Sequence, residues 1–459
     1  MEERNKMKNR FFTLAALIAA VICASFICTD LCGAGKVKYI FVLIGDGFGP
    51  NQRAVGEAAN GKKLVMNTLP VATFTGTNSV QGWTTDSAAS GTAIACGVKT
   101  YNGAIGVDKD KKPLVSLAKD LKKKGFAIGI VSTCALTDAT PAAQYANQEK
   151  RSMRKEIAGD LAKSGFDFFA GGNLSNCYED PDHGKGEKNM REIIAGDYTI
   201  VTKFSDVKDD DKKYFLTNPP HTCWPYCKSH NHKNRRTLAQ YLEKTIDVLM
   251  KKNENGFYIM LECGRIDHAG HNNDAAKTAR EVISFDKTIA VALDFQKKHP
   301  EETLVIITAD HETGGLQIAD QAKLQKRAAE LLKQNGKKWV VTCEITPMIK
   351  EKKPAAAVVK KLAEQLGCSD FTSEEIKILE GLIETNYANP KTKIRRFSPR
   401  DIVDKACEFR DAKIGLKYTT GGHSSTKIIT NVIGPGCETF KRDDLENSSL
   451  KGLIEAIIK

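Results

Sequence analysis

Four nearly continuous apolar runs divide the chain, and each stops at a polar or acidic residue. Val37–Ile44 runs into Gly45-Asp46-Gly47, and Phe126–Val131 into Ser132-Thr133. Phe257–Leu261 stops at Glu262, and Thr303–Ile307 is soon followed by Asp310-His311. Short runs rich in β-branched and aromatic residues predict strands buried on both faces. Between them, apolar residues recur every three or four positions in Met153–Lys163, Thr237–Lys251 and Asp274–Lys298, which predicts amphipathic helices. The alternation implies an α/β fold, with a large, mostly parallel central sheet and helices on both faces. No internal repeat interrupts it.

Two stretches break this rhythm. Residues 174–235 are polar and rich in turn formers, and residues 320–412 are lysine-rich and mostly helical in pattern, broken by Pro347, Pro354, Pro390 and Pro399. Both read as insertions in a single domain spanning 35–459, because candidate site residues fall on either side of each. The first insertion carries a cysteine–histidine segment from His221 to His232 that includes Cys223, Cys227 and His230. A local disulfide, a small zinc site and free thiols all remain open there, since the spacing is not a standard zinc signature.

The N-terminus has another character. Arg4, Lys6, Lys8 and Arg10 precede an uncharged apolar run, Phe11–Cys28, and the small residues Gly33-Ala34 follow. That order is that of a secretory signal peptide over residues 1–34. Cleavage near Ala34 and export, secreted or periplasmic, are the expectation; retention as a membrane anchor is the alternative. The formal charge of +12 is spread along helical stretches, without the clustered basic and aromatic pattern of a nucleic-acid binder, so no specific nucleic-acid partner is expected. A basic surface does favour anionic substrates.

The chemistry sits where strands end. Doubly wound sheets bind ligands beyond the carboxyl ends of their strands, and Asp46, Asp138, Glu262, Asp310 and His311 all occupy such places. Glu262-Cys-Gly-Arg-Ile-Asp267-His268-Ala-Gly-His271 puts carboxylates and imidazoles close together on a glycine-spaced segment. Oxygen donors suit magnesium, and mixed nitrogen and oxygen donors suit zinc. Gly421-Gly422-His423 presents another histidine on a flexible turn. In Thr84-Thr-Asp86-Ser87-Ala-Ala-Ser-Gly91 a serine stands at the start of a helix-compatible segment, where backbone N–H groups and the helix dipole favour phosphate.

These motifs together resemble the alkaline phosphatase family, in order from about residue 37 to 435. Asp-Ser-Ala-Ala-Ser, continued by Gly97-Val-Lys-Thr-Tyr-Asn-Gly103, looks like that family's nucleophile motif, and Glu262–His271 and Thr308–His311 look like its metal motifs. The resemblance implies hydrolysis of phosphate monoesters to alcohol and inorganic phosphate through a phosphoserine on Ser87, at a site with two zinc ions and one magnesium. Asp267, His271 and His423 match the ligands of the first zinc; Asp46, Asp310 and His311, with Ser87, match those of the second. Asp46, Thr140 and Glu262 match the magnesium ligands, and Asp138 an outer partner of magnesium-bound water. Arg151 takes the place of the phosphate-clamping arginine, oriented by Asp86, with Arg154 as a substitute of poorer spacing. A homodimer is implied by the resemblance alone. A phosphodiesterase of the same superfamily and a non-catalytic metal- or phosphate-binding protein are the rival readings; Arg151 argues against the first, and the filled ligand positions against the second.

Overall fold

The computed structural model describes residues 37–172, 191–217, 236–252, 255–387 and 397–458. The N-terminal apolar segment, the His221–His232 segment and Pro390 lie outside the described residues. Among the described residues no helix is long and apolar enough to cross a membrane, and the described cysteines form no disulfide.

In chain order the strands are β1 (Tyr39–Gly45), β2 (Val71–Thr75), β3 (Ala127–Ser132), β4 (Phe168–Gly171), β5 (Thr199–Val201), β6 (Tyr214–Thr217), β7 (Phe257–Cys263), β8 (Thr303–Ala309), β9 (Glu312–Thr313), β10 (Leu316–Ile318), β11 (Leu416–Tyr418), β12 (His423–Ser424) and β13 (Ile428–Ile433). Nine of them form one sheet in the order β2-β13-β8-β1-β7-β3-β4-β6-β5. All neighbours are parallel except β13, which runs antiparallel to both β2 and β8. The expected parallel sheet is therefore present, with one reversed strand that the apolar runs did not announce.

The alternation of side chains along β1 divides the core in two. Ile40, Val42 and Ile44 face one apolar cluster, covered by helices Leu117–Lys123, Arg154–Lys163 and Ser449–Ile457. Tyr39, Phe41 and Leu43 face the other. The helices that position the site are α1 (Ser87–Cys96), α2 (Ala139–Ala142), α3 (Leu238–Lys252), α4 (Arg265–His271) and α5 (Ala275–Lys298); α3 and α5 cover the second face. Four further helices, α6 (Lys338–Lys350), α7 (Ala355–Leu366), α8 (Ser373–Glu384) and α9 (Pro399–Ile414), pack around a separate apolar core that includes Val341, Leu362, Leu379 and Ile402.

Register carries the fold to the site. Gly45, the last residue of β1, lies opposite Cys263 of β7 and Ala309 of β8, and Ser132 ends β3 opposite Glu262. Four central strands thus end level, and the residues after them are delivered to one edge of the sheet.

Candidate active site

Ser87 is the first residue of α1, and Asp86 caps that helix by accepting from the Ala89 N–H at 3.0 Å. The small residues of α1 let it lie close to its surroundings: a Cβ added to Gly91 would stand 3.3 Å from Thr140 Cα. Ser90 donates to the Asp310 carbonyl at 2.7 Å, which ties α1 to the end of β8. Ser87 is buried, with Oγ 3.1 Å from His311 Nε2.

Arg151 reaches the same place from the loop before helix Arg154–Lys163. Its guanidinium donates to Asp86 Oδ2 at 3.2 Å and to Asp138 Oδ1 at 3.1 Å, and remains partly open to solvent. Burial opposes ionisation of Asp138, yet Arg151 and Arg154 hold its carboxyl down at about 2. Asp138 also caps the short helix α2, two residues before Thr140.

Two groups of donors converge beside Ser87. In one, Asp267 Oδ1 lies 3.3 Å from His271 Nε2 and 3.6 Å from His423 Nε2, and the two Nε2 atoms are 3.3 Å apart. Each imidazole is anchored through its other nitrogen: His271 Nδ1 to the Gly421 carbonyl at 2.6 Å and His423 Nδ1 to the Thr85 carbonyl at 2.8 Å. A carbonyl only accepts, so each Nδ1 carries the proton and each Nε2 presents a lone pair. Two lone pairs and a carboxylate oxygen facing one another at this range repel unless a proton or a metal ion lies among them.

In the second group, Asp46, Asp310 and His311 have donor atoms within 4.8 Å of one another, and so do Asp267, His311 and His423; the two groups therefore abut. Asp310 Oδ1 is satisfied by the N–H groups of Gly47 (3.1 Å) and His311 (2.9 Å), while Oδ2 faces His311 Nε2 at 3.2 Å with no hydrogen bond. Asp46 Oδ1 and Thr140 Oγ1 are likewise buried without a hydrogen-bond partner. Buried polar atoms are rarely left so, and an ion is one of the few explanations. Glu262 bonds Ser132 Oγ and stands level with this group on β7.

The electrostatics agree with that chemistry. Burial, then the neighbouring Asp310 and Asp267, pushes Asp46 well above the usual carboxylate range. Burial likewise raises Glu262 and Asp310 to about 7 each, and lowers His311 to about 3 with His423 beside it. Without cations Asp46, Glu262 and Asp310 hold their protons more tightly than ordinary carboxylates; divalent cations would displace those protons. The donor set of mixed imidazole and carboxylate suits zinc, and the oxygen set of Asp46, Thr140 and Glu262 suits magnesium.

Two supports carried no signal recognisable in the sequence. Thr313 donates to Asp267 Oδ1 at 2.6 Å and lies 3.2 Å from His311 Nδ1, so one hydroxyl joins both groups. Ser132 holds Glu262, and nothing but its place at the end of a strand marks it. Cys263 packs away from Glu262, with Sγ 4.0 Å from the Glu281 carbonyl. His268 points elsewhere too, with Nδ1 2.9 Å from Arg265 Nη1.

Comparison with known proteins gives this geometry a class. The alkaline phosphatase family model matches residues 37–428. Alkaline phosphatase 4 of Bacillus subtilis is 30% identical over 92% of this chain and 89% of that protein. The cold-active alkaline phosphatase of a psychrophilic Shewanella superposes with a TM-score of 0.75 at 27% identity, covering 92% of this chain and all of that one. A variant of the TAB5 alkaline phosphatase, solved with magnesium in its M3 site, is 28% identical with a TM-score of 0.63, covering 92% of this chain and 98% of that one. The chain belongs to the alkaline phosphatase family. At that level it is a phosphoric monoester hydrolase.

Proposed function

We propose that this chain hydrolyses phosphate monoesters through a covalent phosphoserine on Ser87, with two zinc ions and one magnesium at the site. The observation that carries the proposal is the set of imidazole Nε2 atoms and unsatisfied oxygens that converge beside a buried serine at a helix start. Asp267, His271 and His423 would hold one zinc; Asp46, Asp310 and His311, with Ser87, the other; Asp46, Thr140 and Glu262 the magnesium, with Asp138 as an outer partner. When bound, such ions supply positive charge that favours an ionised serine, a stabilised leaving oxygen and a reactive water at neutral pH.

The protein's own groups do the positioning. Ser87 Oγ attacks phosphorus, and the start of α1 directs its dipole toward the phosphoryl group. Arg151 donates two parallel hydrogen bonds to non-bridging oxygens, a geometry lysine does not reproduce. Asp86 and Asp138 hold that guanidinium in place and keep it charged. The alcohol is left largely unread, which favours broad specificity among monoesters.

The test is hydrolysis of an aryl phosphate by the zinc- and magnesium-loaded chain, with and without chelator, beside Ser87→Ala. Chelator-sensitive turnover that disappears in the variant, with a burst of alcohol release in the wild type, is the expected result. Full activity in Ser87→Ala would refute the covalent route, and a preference for a diester over the monoester would move the reading to the phosphodiesterase. Membership of the family supports a homodimer, which light scattering would measure. The basic-then-apolar order of residues 1–34 supports export, checked by fractionating cells that express the full chain.

A further inference from the structure

Asp274 is a buried carboxylate that the reaction does not use, three residues beyond His271 and 1% exposed. It accepts from the N–H of Lys277 at 3.1 Å, in the first turn of α5, and from the N–H of Lys338 at 3.1 Å, the first residue of α6. It also accepts from Gln334 Nε2 at 3.3 Å. One carboxylate therefore caps two helix starts, one beside the catalytic helix α4 and one in the four-helix module. Gln334 in turn bonds the buried Arg410 of α9.

A second tie is made at the surface. Arg400 of α9 donates to Asn272 Oδ1 at 2.8 Å, and Asn272 donates to the His268 carbonyl at 2.6 Å, so the module grips the carboxyl end of α4. Asp404, 3.0 Å from Arg400 Nε, fixes the angle of that guanidinium.

The third tie is covalent. From α9 the chain passes through β11, paired with β10, directly to Gly421 and His423. Gly314 and Gly422 are joined by an N–H to carbonyl bond of 2.8 Å, and Gly421 anchors His271. The first two ties reach α4, which carries Asp267 and His271, since the Asp274 N–H donates to the Ala269 carbonyl at 3.0 Å and Asn272 to that of His268; the third leads to His423 and to the Gly421 carbonyl. Asp46 and Asp310 instead stand just past the ends of β1 and β8 in the central sheet, and Asp310 is held by the N–H groups of Gly47 and His311.

We propose that Asp274 and Arg400 are positioning residues that seat the four-helix module on α4, and thereby set the metal affinity of the Asp267–His271–His423 cluster apart from that of the Asp46–Asp310–His311 cluster. The inference rests on reading the first cluster as a metal site. Outer partners of metal ligands typically change affinity about 10- to 100-fold. Arg400 and Asn272 act one residue further out, so about tenfold is expected for either.

The experiment titrates the metal-stripped full chain with zinc against a chromogenic chelator, for the wild type and for Arg400→Ala, Asn272→Ala, their double variant and Asp274→Asn. His423→Ala identifies the zinc equivalent that belongs to the first cluster. Arg400→Ala and Asn272→Ala should each weaken that equivalent about tenfold, leave the other unchanged, and be no worse combined than singly. Asp274→Asn should weaken it more. The two surface variants keep the test decisive should Asp274→Asn fold poorly. Equal weakening of both equivalents, or no change in Arg400→Ala and Asn272→Ala with native circular dichroism, overturns the inference. A wild type that binds no zinc sensitive to His423→Ala overturns instead the reading of the site on which it rests.

Discussion

Removing the metals should destabilise this protein in a manner that depends steeply on pH. Burial raises Glu262 and Asp310 to about 7, far above their unfolded range. Groups shifted upward stabilise the fold while protonated, and that stability is lost as pH rises through about 7. The chelated chain should therefore melt at progressively lower temperature from pH 5 to pH 8. Metals reverse the trend, because they bind the ionised carboxylates. An ion present at about 100 times its Kd stabilises by about 2.7 kcal/mol. Unfolding entropy of about 2.1 cal/mol/K per residue, over about 400 residues, is roughly 0.85 kcal/mol/K. Two such ions then raise Tm by about 6 °C at pH 8. At pH 5 an ion held by Asp310 or Glu262 must displace a proton two pH units below that group's pKa, which weakens apparent affinity about 100-fold and leaves only about 0.4 kcal/mol. His311, lowered to about 3, is neutral in the fold at every pH tested; below about 6.5 only the unfolded chain protonates it, which partly offsets the carboxylates' slope but cancels in the difference between loaded and chelated protein. The buried Glu281, also raised to about 7, titrates whether or not metal is bound and cancels in the difference. Calorimetry of loaded and chelated protein at pH 5, 6, 7 and 8 measures that difference. A gap equal at pH 5 and pH 8, or a chelated form that gains stability with rising pH, would refute the reasoning.

Three further outcomes follow from single contacts. Arg151→Ala should weaken inhibition by inorganic phosphate about 10- to 100-fold, from the loss of two charge-assisted bonds of about 1.5–3 kcal/mol partly replaced by water; Lys should recover little, and unchanged phosphate inhibition would place the clamp elsewhere. Gly47→Ala forces a side chain onto a backbone with φ of +70° and puts its Cβ 2.7 Å from Asp267 Cα, so several kcal/mol of stability should go, read as a lower melting temperature; a melt within 1 °C of wild type would contradict the close packing of β1 on α4. Thr313→Val keeps shape but removes the hydroxyl that bridges Asp267 and His311, and zinc affinity should fall about 10- to 100-fold while the fold persists; unaltered zinc binding would show that the bridge is incidental.

What could be read from the chain, and what could not, divides along physical lines. β1, β3, β7 and β8 are buried on both faces, so they are apolar along most of their length and stand out. The helices announced themselves by periodicity and ended within a residue or two of expectation, as with Asp274–Lys298, where Asp274 is the cap and Ala275 the first helical residue. β4, β5 and β6 are three or four residues long, too short for any period to register. β13 has the composition of its parallel neighbours, and strand direction leaves no trace in side-chain pattern. Among site residues, carboxylates and histidines were legible because few structural roles need them beside glycine at a strand end. Their anchors were not, because Thr85 and Gly421 act through backbone carbonyls that every residue possesses, and Thr313 and Ser132 are of types common everywhere.

That division also explains why the site can exist. Asp46, Glu262, Asp267 and Asp310 are buried together, an arrangement that isolated packing would reject, since buried charges must be paired or neutralised. The fold can hold them only if something else keeps them from moving apart. Matched strand ends do so: Gly45, Cys263 and Ala309 are pinned level by the ladder between β1, β7 and β8, and both faces of that ladder are sealed by apolar clusters. The carboxylates hang from backbone that has no freedom to retreat, so their repulsion is relieved by protons or by cations and not by rearrangement. A site built this way is preorganised for cations before any arrives, and its local disfavour is borne by the same sheet core whose apolar runs made the fold readable.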